Sequence, residues 1–98
     1  MARLAIHPGE QLQDELEAIP LTAEELAEKL RLSLPALDDL LQGRSNISAD
    51  TALRLGHFFG TGAEFWMNLQ AIYDLRVAEA QQGEAIKALP TLKQPVAA

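Results

Sequence analysis

Residues 22–43 read TAEELAEKLRLSLPALDDLLQG, and the fold class follows from this one stretch. Thr22 stands three residues ahead of Glu25, a capping box in which the hydroxyl accepts from the Glu25 amide while the Glu25 carboxylate reaches back. A helix over 23–30 follows, with Leu26, Ala27 and Leu30 inward. Only Arg31 and Leu32 separate it from the next cap, Ser33. The helix after Ser33 tolerates Pro35 because a first-turn proline displaces no intrahelical amide bond. It buries Leu37, Leu40 and Leu41, and Gly43 stops it. Two short capped helices joined by a tight turn point to an all-α domain.

The pattern continues on both sides. Upstream, Pro8 suits a first helical turn and Leu12, Leu16 and Ile19 recur at i, i+4 and i+7, so a helix over 9–18 is expected, stopped by Pro20. Downstream, Ser48 caps a helix over 49–59 with Ala52, Leu55, Phe58 and Phe59 as its apolar set and Gly60 as its terminator. TGAE at 61–64 repeats the capping-box pattern. It opens the longest periodic stretch, in which Phe65, Trp66, Leu69, Ile72, Tyr73 and Val77 follow helical spacing to about Gln82, with Gly83 as the expected end. The remaining GEAIKALPTLKQPVAA has two prolines and a thin apolar pattern, which predicts one weak helical turn and then a mobile tail. The division is therefore a five-helix domain over 1–82 and a weakly structured tail over 83–98.

Composition narrows the function. Ninety-eight residues suit one small core, and an apolar content of 48% with few aromatics suits a core of leucine and alanine. The absence of cysteine removes a disulfide framework, a thiolate zinc site and a thiol nucleophile, and fits the reducing cytosol. No apolar run suits a signal peptide or approaches the roughly 18 residues of a membrane span, so a soluble, cytoplasmic protein with no membrane partner is expected. His7 and His57 lie far apart with no cysteine near either, so neither a metal nor a cofactor is expected. The adjacent acids at 14 and 15, 24 and 25, and 38 and 39 do not face each other on a helix, so no paired carboxylates exist for acid–base catalysis. The chain is expected to bind rather than to catalyse.

The flanks of the opening stretch carry more specific information. HPGE at 7–10, ISADTALRLGHFFGT at 47–61 and EFWMNLQAIYDLRVAE at 64–79 resemble, nearly residue for residue, the HigA-type addiction-module antitoxins. The resemblance covers residues 7–79 and implies a lambda-repressor-like helix-turn-helix fold. It also implies a homodimer, neutralisation of a cognate basic, RelE-like mRNA-cleaving toxin, and repression of the chain's own operon through operator DNA. The helix after Ser33 would then enter the major groove. The DNA-binding candidates on and beyond it are Ser33, Leu34, Pro35, Ala36, Asp39, Arg44, Ser45 and Asn46. Phe65, Trp66, Leu69 and Tyr73 are more large apolar groups than one small core hides, which makes them candidates for the dimer interface.

Charge sets a problem for this reading. The net charge is −6, and residues 1–43 hold nine carboxylates against three cations while residues 44–98 are balanced, so the whole excess is N-terminal. Relatives usually carry glycine where this chain has Arg31, and small polar residues and an arginine where it has Ala36, Asp38 and Asp39. A helix facing phosphates needs cations, and two carboxylates act against it. Aspartate can accept from cytosine N4, but that needs cationic help from elsewhere; Arg44, Ser45 and Asn46, just beyond the helix, are placed to reach a phosphate backbone, and Arg31 in the turn is a further candidate. The alternative is a toxin-binding protein or orphan regulator whose operator binding is weak or lost.

Overall fold

The structure, a computed structural model, describes residues 4–92. Five helices follow one another: α1 Pro8–Glu17, α2 Ala23–Leu30, α3 Leu34–Leu41, α4 Ala49–Phe59 and α5 Ala63–Lys87. The first four start at caps written locally in the sequence. Both halves of the Thr22–Glu25 capping box are formed, at 3.1 and 2.9 Å. Ser33 and Ser48 accept from the Ala36 and Thr51 amides, each at 3.2 Å. The α1 cap is His7, whose Nδ1 accepts from the Gly9 amide at 2.8 Å. Pattern reading had no reason to prefer histidine there, because serine, threonine, aspartate and asparagine lead at that position.

Two sequence expectations about α5 are corrected. The capping box expected at 61–64 does not form: Thr61 Oγ1 donates to the Gly62 carbonyl at 3.1 Å, and the helix begins at Ala63 with no side-chain cap. Gly62 is instead pinned by its own amide, which donates to the Gly56 carbonyl at 3.2 Å. Gly83 does not end α5. The helix runs on to Lys87, carried by good helix formers on both sides of the glycine, and Pro90 lies just beyond its end. Phe58 and Ile72, which spacing places on the apolar stripes of α4 and α5, are 37% and 46% exposed, so those stripes reach beyond the core. Of the expected tail, residues 93–98 lie outside the described residues.

The core is one cluster drawn from every element: Leu12 of α1, Leu26, Ala27 and Leu30 of α2, Leu37 and Leu40 of α3, Ala52 and Leu55 of α4, and Trp66 of α5, joined by Ile47. Trp66 is wholly buried and is the largest of these side chains. Two glycines permit the approach of the layers around them. A Cβ at Gly9 would fall on the Leu40 carbonyl, so α1 crosses α3 backbone to backbone. A Cβ at Gly56 would fall on the Gly62–Ala63 peptide, so α5 can fold back against α4 only with glycine there.

The α2–α3 turn is held from two directions. Arg31 adopts the left-handed conformation (φ 59°, ψ 40°), and Leu32 N–H donates to the Ala27 carbonyl at 2.9 Å, the bond that closes a Schellman motif. From α4, Arg54 Nη1 donates to the Leu30 carbonyl at 2.9 Å while its Nε is paired with Asp50 at 2.6 Å, so one side chain satisfies the end of α2 and ties it to α4. A left-handed conformation costs an L-residue on the order of 1–2 kcal/mol, offset in glycine's case by its greater unfolded freedom. Arg31→Gly should therefore stabilise the fold by about 0.5–1 kcal/mol, whereas Gly56→Ala, which sets a methyl against immovable backbone, should cost more than about 2 kcal/mol. Urea denaturation of the two variants checks both signs, and equal behaviour would show that neither backbone constraint governs stability.

Candidate nucleic-acid interface

The exposed face of α3 and the loop after it form one surface. Ser33, Leu34, Pro35 and Ala36 lie exposed at the start of α3, and Asp38 and Asp39 follow one turn later. The chain then turns at Gly43 (φ 75°), with Gly43 N–H donating to Leu40 O at 3.1 Å and Arg44 N–H donating to Asp39 O at 2.8 Å. This second Schellman closure swings Arg44 back over the last turn of α3. Ala36, Asp39, Ser45 and Asn46 line a single shallow groove together with Thr51 of α4. All eight DNA-binding candidates are exposed or half-buried on this side, and one of them, Ser33, also caps the helix that presents the others.

Arg44 does not project freely. Its Nη2 is 3.0 Å from Asp38 Oδ2 and its Nε 3.1 Å from Asp39 Oδ1, so one guanidinium bridges both carboxylates. The hydrogen bond that Arg44 donates to Asp39, followed by the one it donates to Asp38, holds its guanidinium above the ordinary value against the opposing effect of desolvation. All three side chains are about half exposed, so solvent screens the pairs and they remain exchangeable. The fork lowers the local charge from two negatives to one. It also means that a phosphate must compete for Arg44 with carboxylates already in place. Asp50, in the first turn of α4, is held below its ordinary value by the hydrogen bond from Arg54 and then by the charge of that guanidinium.

Beneath the surface is a buried polar group that the sequence reading missed. Gln70, on the same face of α5 as Trp66 and Tyr73, is 4% exposed, and its Oε1 accepts from the Ile47 amide at 2.7 Å. A lone polar residue within an apolar helical stripe was the available signal. What it bonds to could not be read from spacing, because Ile47 lies 23 residues away.

The four residues expected at a dimer interface separate. Trp66 has no exposed surface in the single chain and is core. Phe65 is 37% exposed and packs edge-on against Trp66 at 5.2 Å, Leu69 is half-buried, and Tyr73 is half-buried with its ring edge-on to His7 at 4.8 Å. Apolar surface on α5 continues outward from them through Ile72 and Leu75.

Comparison with known proteins places this geometry. Residues 12–66 match the family model described as helix-turn-helix, a span that takes in α2, α3 and the turn between them. The chain belongs to this helix-turn-helix family. An addiction-module antidote protein of the HigA family from Coxiella burnetii is 41% identical, with 95% of this chain and all of that one superimposed at a TM-score of 0.87. The antitoxin HigA of Pseudomonas aeruginosa, solved with the higBA promoter, is 42% identical over 92% of this chain and all of that one, at a TM-score of 0.86. Virulence-associated protein I of Dichelobacter nodosus is 45% identical over 76 residues, which is 76% of this chain and 70% of that protein. The helix-turn-helix chain is thus of HigA type, all-α with five helices, and its family is one of binding proteins rather than enzymes. None of its described helices is long and apolar enough to cross a membrane.

Proposed function

We propose that this HigA-type chain is the antitoxin of a toxin–antitoxin pair, which binds its own operator as a homodimer and neutralises a basic, RelE-like mRNA-cleaving toxin. The observation that carries the DNA half is the single surface made by the start of α3 and the loop Arg44–Asn46, set by two Schellman turns and two helix caps. The Pseudomonas relative, solved on a promoter and 42% identical, supports the same use of that surface here. Ser33, Arg44, Ser45 and Asn46 supply the backbone contacts, with Leu34, Pro35 and Ala36 against the groove wall. Phosphate contacts of this kind position a protein without reading sequence.

A second reading, in which toxin binding is retained and operator binding is weak, is favoured by the fork itself. Asp38 and Asp39 occupy Arg44, so DNA gains that cation only by releasing two carboxylates next to phosphate. Affinity is accordingly modest and steep in salt. The toxin half rests on charge: Glu10, Asp14, Glu17, Glu24, Glu25 and Glu28 are exposed on α1 and α2, a negative surface that attracts a partner built to hold RNA phosphates. Pairing of two copies covers the exposed apolar surface of α5 beginning at Phe65, Leu69 and Tyr73.

Three measurements decide among these. Fluorescence anisotropy with duplexes from the chain's upstream region should show binding whose log affinity falls steeply with log salt. Asp39→Arg should raise affinity severalfold for every sequence and steepen the slope by about one, and Arg44→Ala should weaken it evenly across sequences. Loss of tight binding on Asp38→Ala or Asp39→Ala would mean instead that the aspartates read bases. Stopped-flow association with the cognate basic toxin should slow as salt rises, and a rate indifferent to salt would remove the role of the acidic surface. Light scattering at tens of micromolar should return twice the chain mass of 10.7 kDa, and a monomer would reject the paired form.

A further inference from the structure

We infer that Gln70 and Asp74 are positioning residues for DNA contact: from α5 they fix the side-chain amide of Asn46 so that it presents a hydrogen-bond donor, and not its acceptor, to solvent and to a phosphate. The inference rests on the DNA-binding reading above and adds to it a determinant outside the helix-turn-helix. Three bonds carry it. Gln70 Oε1 accepts from Ile47 N–H at 2.7 Å, and Gln70 Nε2 donates to Asp74 Oδ1 at 2.9 Å and to Asn46 Oδ1 at 3.2 Å.

The chemistry of the two ends leaves no choice of direction. A backbone N–H only donates, so the group facing Ile47 must be the Gln70 oxygen. An ionised carboxylate only accepts, so the group facing Asp74 must be the Gln70 nitrogen. Gln70 is 4% exposed, with both N–H donors and one lone pair of its oxygen used, so its amide cannot turn over without leaving buried groups unpaired. Its second N–H then reaches Asn46, which must answer with Oδ1. The NH2 of Asn46, an exposed residue two positions from Arg44, is left outward. A donor is what a phosphate oxygen accepts from, and an outward carbonyl oxygen would repel it. Ile47, buried in the core at 4% exposure, holds the same loop from below, so the amide geometry is set on a fixed backbone.

The direction of the chain can be reversed without changing net charge. In Gln70→Glu/Asp74→Asn the buried carboxylate still accepts from Ile47 N–H and now accepts from the amide at 74 as well. Asn46 must then turn its NH2 inward and its oxygen outward. Side-chain amide hydrogen exchange by NMR should show the Asn46 NH2 in rapid exchange with water in the wild-type chain and slowed in the double variant. Affinity for any duplex should fall roughly three- to tenfold with the melting midpoint retained, the loss expected for one phosphate hydrogen bond. Asn46→Ala should cost about the same factor in the wild-type background and nothing further in the double variant, a coupling that a purely structural role for Gln70 does not produce. Unchanged Asn46 exchange and unchanged affinity in the double variant would overturn the inference. So would a protected Asn46 NH2 in the wild-type chain, or a neutral Asn46→Ala, and both of these are readable even if the double variant does not fold. If the wild-type chain binds no duplex at low salt, the DNA-binding reading fails, and the exchange rates still decide how Asn46 is oriented.

Discussion

The close approach of Gly56 to the Gly62–Ala63 peptide is the constraint on which the rest of the molecule hangs. Because no side chain stands between them, α5 turns straight back along α4. That return drives Trp66 into the buried core, a cluster to which the other four helices also contribute side chains. One turn further along the same face it places Gln70 beneath the loop between α3 and α4. A helix that contributes nothing to the helix-turn-helix by sequence therefore sets the position of the loop that follows its second helix. The fold and the interface are linked through backbone proximity at one residue.

On the outer side of that loop the balance is electrostatic. Gly43 turns the chain so that Arg44 returns over α3, and both aspartates of the exposed face close on it. Without Arg44 the face would present two uncompensated carboxylates. With it, the face carries one net negative charge and a cation that can be exchanged, since each partner is about half in water. DNA affinity in such an arrangement is a difference between two pairings of the same guanidinium. A surface of this design binds only as far as phosphates outbid its own carboxylates, and this makes ionic strength the natural control.

What could be read from the sequence was local. Thr22 with Glu25, Ser33 and Ser48 act on amides three residues away, so the starts of α2, α3 and α4 could be read directly, and the inward leucines followed from helical spacing. The family motifs brought the five-helix architecture with them. Features that depend on distant backbone were not legible. Thr61 loses its capping role because Gly62 is taken by Gly56, and His7 caps α1 with its ring lodged against Tyr73, on a helix far along the chain. The fork is an intermediate case. Asp38, Asp39 and Arg44 are five and six residues apart, and the intervening glycine could have suggested that the arginine turns back, but only the left-handed turn at Gly43 makes them meet.

The proposed DNA binding requires Arg44 to be shared between its own aspartates and phosphate. The carboxyl carbons of Asp38 and Asp39 report on it directly, through 13C NMR with and without a short duplex at low salt. Transfer of the guanidinium to phosphate predicts that both carboxyl resonances move together on adding DNA, and return as salt is raised. Resonances that stay in place while the duplex is demonstrably bound would show that DNA engages the chain without releasing the fork, and would contradict the account.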